Sequence, residues 1–312
     1  RTSSPVRVVR YTGLVGTMLF LAIFGGSGFV LVFATIFAMT FFWSAALPLM
    51  EATTLTHLGE ETSRYGRVRV WGSVGFVAAV IGIGHLLDYV SLEAVPVLIL
   101  ALMLGMLACV WLVPEAPVAR HPEASTVGRL MLQPEVLALI GAGACMSAAH
   151  GPYYTFFSIH LVDLGYSKSA TGWLWALGVI CEIGIFAWMP RLFRAYTLRW
   201  ILQVSCVLAV IRFLAIGWFA HSLAALLIAQ VLHAATFGAF HAASIGYVHK
   251  LFKGHLLARG QTIYGSLAFG VGGATGAFAS GALWERIGAG LTFTLAAACA
   301  AAGGLICMRW SR

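Results

Sequence analysis

Apolar runs of close to twenty residues alternate with short polar loops along the whole chain. A helix crosses a bilayer core with about 20 apolar residues, so the pattern predicts ten membrane spans. The first five run over Val8–Phe24, Phe29–Leu49, Val70–Leu87, Val95–Val113 and Val136–Leu161. The second five run over Ala170–Met189, Trp200–Phe219, Leu223–Val248, Gln261–Trp284 and Leu291–Met308. The longest polar connection, Pro114 to Pro134, separates four spans from six. The expected organisation is therefore four spans in residues 1–113, a cytoplasmic linker over 114–134, and six spans in 135–312.

Composition and charge agree with this pattern. Of the 312 residues, 60% are hydrophobic and 10% charged, against about 25% charged in a soluble domain. A net charge of +8 could indicate nucleic acid, but its distribution argues against that partner. Of the 19 basic residues, Lys168 and Arg286 fall on one side of the predicted membrane and Arg212 lies within a span; the rest, from Arg1 to Arg312, share the other side. Excess basic charge marks the cytoplasmic face, so both ends of the chain are expected there. The 35 glycines suit close contacts between membrane helices. The six cysteines are scattered singly through apolar spans, a spacing that predicts neither metal sites nor disulfides. No metal or cofactor is expected.

The chain also repeats itself. Trp71-Gly72-Ser73-Val74-Gly75-Phe76 opens the third span and Tyr264-Gly265-Ser266-Leu267-Ala268-Phe269 the ninth, each just after basic residues. Parallel halves of six spans are a common transporter architecture. On that plan two helices of the first half are expected upstream of Arg1.

Four residues interrupt the apolar spans where an ion is costly: Glu182, Arg212, His233 and His241. A charge at mid-bilayer costs roughly 2.5–3.5 kcal/mol on insertion scales, and such residues turn toward a protein interior or wet cavity. A Glu–Arg pair also serves as a structural pin, and a lone histidine as a hydrogen-bonded core residue. Arginine offers a planar fork for a carboxylate, and histidine titrates near neutral pH. On a regular helix His233 and His241 stand about 80° apart and about 12 Å along the axis, lining one cavity without sharing a proton. His150, Tyr153 and Tyr154 in the fifth span supply stacking surface and hydroxyls, with Gly151 and Pro152 allowing a helix break; the tyrosines are otherwise an interfacial belt. Glu51 and Arg67, at cytoplasmic span ends, are gating candidates or plain solvated charges. The stripes Gly272, Gly276, Ser280 and Gly273, Ala277, Gly281 are expected to be packing surfaces.

Several stretches carry a family resemblance. Tyr65-Gly66-Arg67-Val68-Arg69-Val70-Trp71-Gly72-Ser73, His150-Gly151-Pro152-Tyr153-Tyr154-Thr155-Phe156, Leu174-Trp175-Ala176-Leu177-Gly178-Val179-Ile180-Cys181-Glu182 and Gln230-Val231-Leu232-His233 resemble the major facilitator superfamily, in its phenylpropionate/proton-symporter-like branch related to the lactose permease type. The resemblance implies an all-α membrane bundle of two six-helix halves. It implies that Glu182, Arg212, His233 and His241 lie on helices used for proton coupling and substrate binding. The sequence departs from the lactose permease type one turn after His233, where Phe237 replaces an acidic residue; the proton then falls to Glu182, with His233.

The expected function is proton-coupled import of a small organic acid, such as an aromatic monocarboxylate, by a monomer in the bacterial inner membrane. Glu182, His233 and His241 are the proton candidates; Arg212, His150, Tyr153 and Tyr154 are the substrate candidates. The competing readings are a sugar or nucleoside symporter, a drug exporter, and more remotely a receptor or enzyme. No Ser/His/Asp set or phosphate-cradling glycine loop lies near a membrane face.

Overall fold

The computed structural model describes residues 4–59, 61, 64–115 and 128–309, without the side chains of Arg129 and His255. Arg1, Glu60, Arg120, Arg312 and most of the expected linker lie outside the described residues. Within them every regular element is helical. The long helices are α1 (Pro5–Gly25), α2 (Phe29–Leu58), α3 (Tyr65–Tyr89), α4 (Leu92–Leu112), α5 (Pro134–Asp163), α6 (Lys168–Ala195), α7 (Leu198–Phe219) and α8 (Leu223–Leu251), followed by the stretch Leu257–Arg309.

That last stretch covers 53 residues and would be about 80 Å long if straight. It is a hairpin instead. Gly288 has φ 75° and ψ 174°, outside the helical region and in a range that favours glycine. A methyl group on Gly272 would meet Ala144 O at 2.6 Å, and one on Gly303 would meet Ala142 O at 3.2 Å. Residues on both sides of the break therefore touch the same short piece of α5. We call the arms α9 (257–287) and α10 (289–309). The described residues thus contain the ten predicted spans in order.

The chain forms two compact units: Arg1–Gly72 with Tyr89–Pro122, and Ser73–Asp88 with Glu123–Arg312. In the first unit α1 packs on α2 and α4. Gly13 lets Leu107 and Trp43 approach, and Gly16 meets Met39, Phe42 and Trp43. Arg10 closes the C-terminal end of α4 by donating to Val113 O at 2.7 Å. Glu115 lies 3.3 Å from Arg7 and 3.6 Å from Arg10.

In the second unit α5 is the central helix. Ala142, Met146, Ala149, Tyr153 and Phe157 form one buried face, packed with Phe213 and Ile216 of α7 and with Phe293 and Ala297 of α10. Another face meets α9, where a methyl on Gly151 would strike Gly276 C at 2.3 Å and one on Gly276 would strike Ala148 O at 2.2 Å. Pro152 has no N–H to donate back to Ala148 O. That carbonyl lies under the bare Cα of Gly276, and α5 runs unbroken past Pro152. The expected break is absent; Gly151 serves the close crossing. Side-chain caps start α6, α7 and α8: Ser167, Thr197 and Ser222 each accept a backbone N–H three residues on, the usual work of an N-cap hydroxyl.

Two helices widen into π geometry. Residues Ala234–Ala239 of α8 and Gly265–Val271 of α9 are π-helical. Such segments are rare and occur frequently at functional sites.

Candidate functional site

Arg212, at mid-length in α7, is completely buried. Its Nε donates to Ala229 O at 2.9 Å, and its Nη1 to His150 Nε2 at 3.2 Å and Thr236 Oγ1 at 3.3 Å. Its Cζ stands 4.1 Å from the centre of the Tyr153 ring, in cation–π range. Nη2 has no hydrogen-bond partner among the described residues. A buried guanidinium is ordinarily paired with an anion; the hydrogen bonds from Nε and Nη1 of this one go to a carbonyl, an imidazole and a hydroxyl.

His150 receives Arg212 in a defined state. Its Nδ1 lies 2.9 Å from Met146 O, one turn back. A carbonyl only accepts, so Nδ1 carries the proton; Nε2 is then the lone pair that Arg212 requires. Tyr153, also fully buried, donates its hydroxyl to Gln230 Oε1 at 2.8 Å. Its ring packs 4.6 Å from Trp175 and 5.6 Å from His233. Gln230 Nε2 and His233 Nδ1 are also buried and unpartnered, so three unused polar nitrogens gather around Tyr153.

Glu182 approaches the cluster from α6, with its side chain four-fifths buried and Oε2 3.7 Å from His233 Nε2. The His150 and His233 rings are 6.1 Å apart. Two imidazoles, His233 and His150, thus stand in series between the Glu182 carboxylate and the Arg212 guanidinium. The π segment alters the expected register of α8. His233, Phe237 and His241 stack as a column, with both interplanar angles at 9° and centroid spacings of 5.3 and 6.2 Å. The histidines share a face instead of diverging by 80°, with Phe237 between them. His241 lies 5.2 Å from the Phe269 ring, away from Arg212's polar contacts.

Beside this cluster is a cavity of about 220 Å³ between α5, α8 and α9. Met146, Tyr154, Phe237, Phe240 and Phe269 give it an apolar and aromatic wall, with His150, Ser147 and Thr236 as its polar members. Arg212 stands behind His150 and Thr236, one layer back. Tyr154 is half exposed and stacks with Trp175 at 6.1 Å. The small-residue stripes of α9 divide: Gly272, Gly276 and Ser280 are buried, whereas Gly273 and Ala277 line the cavity, contrary to the packing role expected for both.

The gating candidates belong to the other unit. Glu51 Oε1 pairs with Arg69 Nε at 3.4 Å, and Arg67 is exposed. Sequence reasoning did not single out Thr236 or Ser147, and it named Gln230 only within a family stretch and Phe237 only as the residue standing in place of an acid. Gln230 alone carried a signal, as an amide within an apolar run and three residues before His233.

The described helices are long and apolar enough to cross a membrane and carry a buried charged cluster beside a cavity. Together with the relatives that follow, this places the chain among multi-pass membrane transporters, not enzymes. The chain belongs to the MFS_1 like family, whose match covers residues 1–295. It is 29% identical over 303 residues to the probable 3-phenylpropionic acid transporter of Escherichia coli (strain K12), covering 95% of this chain and 79% of that protein. It is 23% identical to the maltose permease of Geobacillus stearothermophilus, covering 84% of this chain and 67% of the permease. In fold it resembles the nucleoside transporter NupG, with a TM-score of 0.85 at 15% identity over 100% of this chain and 85% of that one. It also resembles the E. coli fucose:proton symporter FucP, with a TM-score of 0.60 at 16% identity over 99% and 83%.

Proposed function

We propose that this protein is a proton-coupled symporter of a small organic acid, an aromatic monocarboxylate, acting as a monomer in the bacterial cytoplasmic membrane. The observation that carries the reading is Arg212: a fully buried guanidinium with an unpartnered Nη2 beside a cavity walled by aromatic rings. A carboxylate supplies the acceptors that Nη2 needs, and an aromatic body suits the remaining walls. To reach Arg212 the acid displaces the contact of Nη1 with His150 or Thr236, so binding and rearrangement are linked. The name of the E. coli relative supports the same class of substrate.

Charge balance supplies the coupling. An empty site holds the Arg212 cation and the Glu182 anion. Loading a carboxylate on Arg212 while a proton settles on Glu182 leaves the sum unchanged, which avoids carrying a net charge through the low-dielectric interior. His233, 3.7 Å from Glu182, is the relay; His241, farther along the column, is the second proton candidate. His150, Tyr153 and Tyr154 line or brace the substrate position, and Glu51 with Arg67 and Arg69 forms the cytoplasmic gate. On this reading residues 1–113 and 135–312 are the moving halves, joined by 114–134, with both ends of the chain in the cytoplasm by the bias of the basic loops.

The test is uptake of radiolabelled 3-phenylpropionate into proteoliposomes under an inward-directed proton gradient. Wild-type protein accumulates the acid. Glu182→Gln abolishes gradient-driven accumulation while preserving exchange of internal for external acid. Undiminished accumulation in Glu182→Gln removes that residue from coupling, and wild-type uptake of uridine or maltose in place of the acid overturns the substrate class.

A further inference from the structure

Two lining residues of the cavity that carry neither an ion nor a ring, Ser147 and Gly273, divide the work of choosing a ligand between a hydroxyl and an empty space. Most hydroxyls on these helices are satisfied by the carbonyl one turn back: Thr155 donates to Gly151 O at 2.9 Å and Thr275 to Val271 O at 2.8 Å. This local bond is the usual fate of Ser and Thr inside a helix. Ser147 is different. The residue is only 9% exposed, its Oγ has no hydrogen-bond partner among the described residues, and it lines the cavity. Buried hydroxyls are ordinarily paired, so this one stands ready for something that enters.

The opposite wall is made by α9. At Gly272 and Gly276 an added methyl would strike the backbone of α5, whereas at Gly273 it would meet nothing within 4 Å. Gly273 lines the cavity together with Ala277. Its missing side chain therefore leaves room within the cavity, not a close helix contact.

We propose that Ser147 and Gly273 select the ligand: the Ser147 hydroxyl donates to a carboxylate oxygen, and the bare Gly273 gives the width an aromatic ring needs beside Phe240 and Phe269. The inference rests on the cavity being the site of an aromatic acid. Ser147 shares a helix face with His150, three residues on, so a carboxylate at its hydroxyl lies on the polar side of the cavity, toward Arg212. The ring then extends toward α9. Side chains added at Gly273 should exclude ligands in order of ring size and leave the helix packing undisturbed.

The experiment measures uptake of 3-phenylpropionate by the full chain in proteoliposomes, with unlabelled propionate, benzoate and 2-naphthoate as competitors. Ser147→Ala weakens half-saturation for every acid by about two- to tenfold, the value of one hydrogen bond. Gly273→Leu weakens 3-phenylpropionate and 2-naphthoate by about tenfold or more and propionate far less, as expected when a pocket loses several methylene volumes. Gly281→Leu, farther along the same stripe but outside the cavity lining, exposed and with open space around it, leaves uptake and competitor order unchanged. Should Gly273→Leu fail to yield monodisperse protein, Gly273→Ala decides the matter through a smaller shift in the same order. An unchanged competitor order in a well-folded Gly273 variant, or unchanged half-saturation in Ser147→Ala, overturns the proposal while wild-type uptake keeps the acid reading intact. Wild-type protein that takes up no acid overturns both.

Discussion

Helices α2 and α5 have the same length, 30 residues each, and opposite surroundings. The more apolar one is the one left uncovered: α2 has mean hydropathy 2.1 with 6% of its most apolar window buried, against 1.2 and 61% for α5. In a water-soluble protein the order would be reversed. Hydrocarbon gives apolar side chains no reason to leave it, so helices associate through close packing and polar contacts. Thus α5 carries His150, Tyr153 and Ser147 together with glycines for close crossings, while α2 presents Phe29, Phe33, Phe37 and Phe41, each at least 60% exposed.

The largest effect expected from breaking the inner side of that contrast is at Arg212. Arg212→Gln removes a cation whose three hydrogen bonds tie α7 to α5 and α8. Bonds to a charged group contribute about 1.5–3 kcal/mol each, so uptake of 3-phenylpropionate should fall by ~100-fold or more. Arg212→Lys should not restore it, because an ammonium cannot reproduce the planar fork. Initial-rate uptake, normalised to reconstituted protein, checks both. A Lys variant with near wild-type rates would reduce the site to a point charge.

Next in size is the packing of α5 itself. Gly276→Val puts a branched side chain against the Ala148 carbonyl, where even a methyl would come within 2.2 Å of the oxygen. Overpacking of this kind costs about 1–3 kcal/mol, occasionally more. The thermal midpoint of the purified protein should drop by several degrees, while Gly281→Val changes nothing measurable. Equal midpoints for the two variants would mean that α5 and α9 do not cross as closely as the structure places them.

These expectations mix what hydropathy could reveal with what it could not. The ten spans were legible because a bilayer imposes a length on every crossing, and even the hairpin at Gly288 lay between two predicted spans. Glu182 and Arg212 were legible because ions inside apolar runs are costly. Of their partners, His150 and His233 were also named from the sequence, as polar residues within apolar spans. The threonine and the backbone carbonyl that receive Arg212 were not, and nothing in the sequence of Thr236 separates it from any other helix threonine. The π segment over Ala234–Ala239 was also hidden, since Ala-Ala-Thr-Phe-Gly-Ala has no composition that distinguishes a wide turn from an ordinary one. That turn aligned His233 with His241 and set Phe237 between them. Ser147 escaped notice for a related reason, because its significance is the hydrogen bond it lacks.

A smaller effect is expected from Tyr153→Phe, which keeps the ring under Arg212 and removes the hydroxyl bonded to Gln230. One buried hydrogen bond contributes about 1 kcal/mol, and the Gln230 oxygen left behind adds its own desolvation cost. Half-saturation for 3-phenylpropionate should rise about five- to tenfold with the thermal midpoint only slightly lowered. A loss as deep as in Arg212→Gln would show that the hydroxyl itself, and not the ring, supports the guanidinium.

The smallest effect is expected on α2, and it tests the contrast from the outside. Phe33 is 60% exposed and touches the rings of Phe29 and Phe37 at 5.9 and 6.2 Å along its own helix. Phe33→Ala removes a large apolar group from a surface that already meets apolar surroundings in a membrane, so no transfer from water is forfeited and no cavity opens in a packed layer. The change should stay within about 0.5 kcal/mol, as for substitutions away from packed or polar features, and the thermal midpoint in detergent and in lipid should match wild type. A loss comparable to that at Gly276 would mean that the aromatic face of α2 is covered in the membrane. Its high hydropathy would then reflect a packed contact, not exposure to acyl chains.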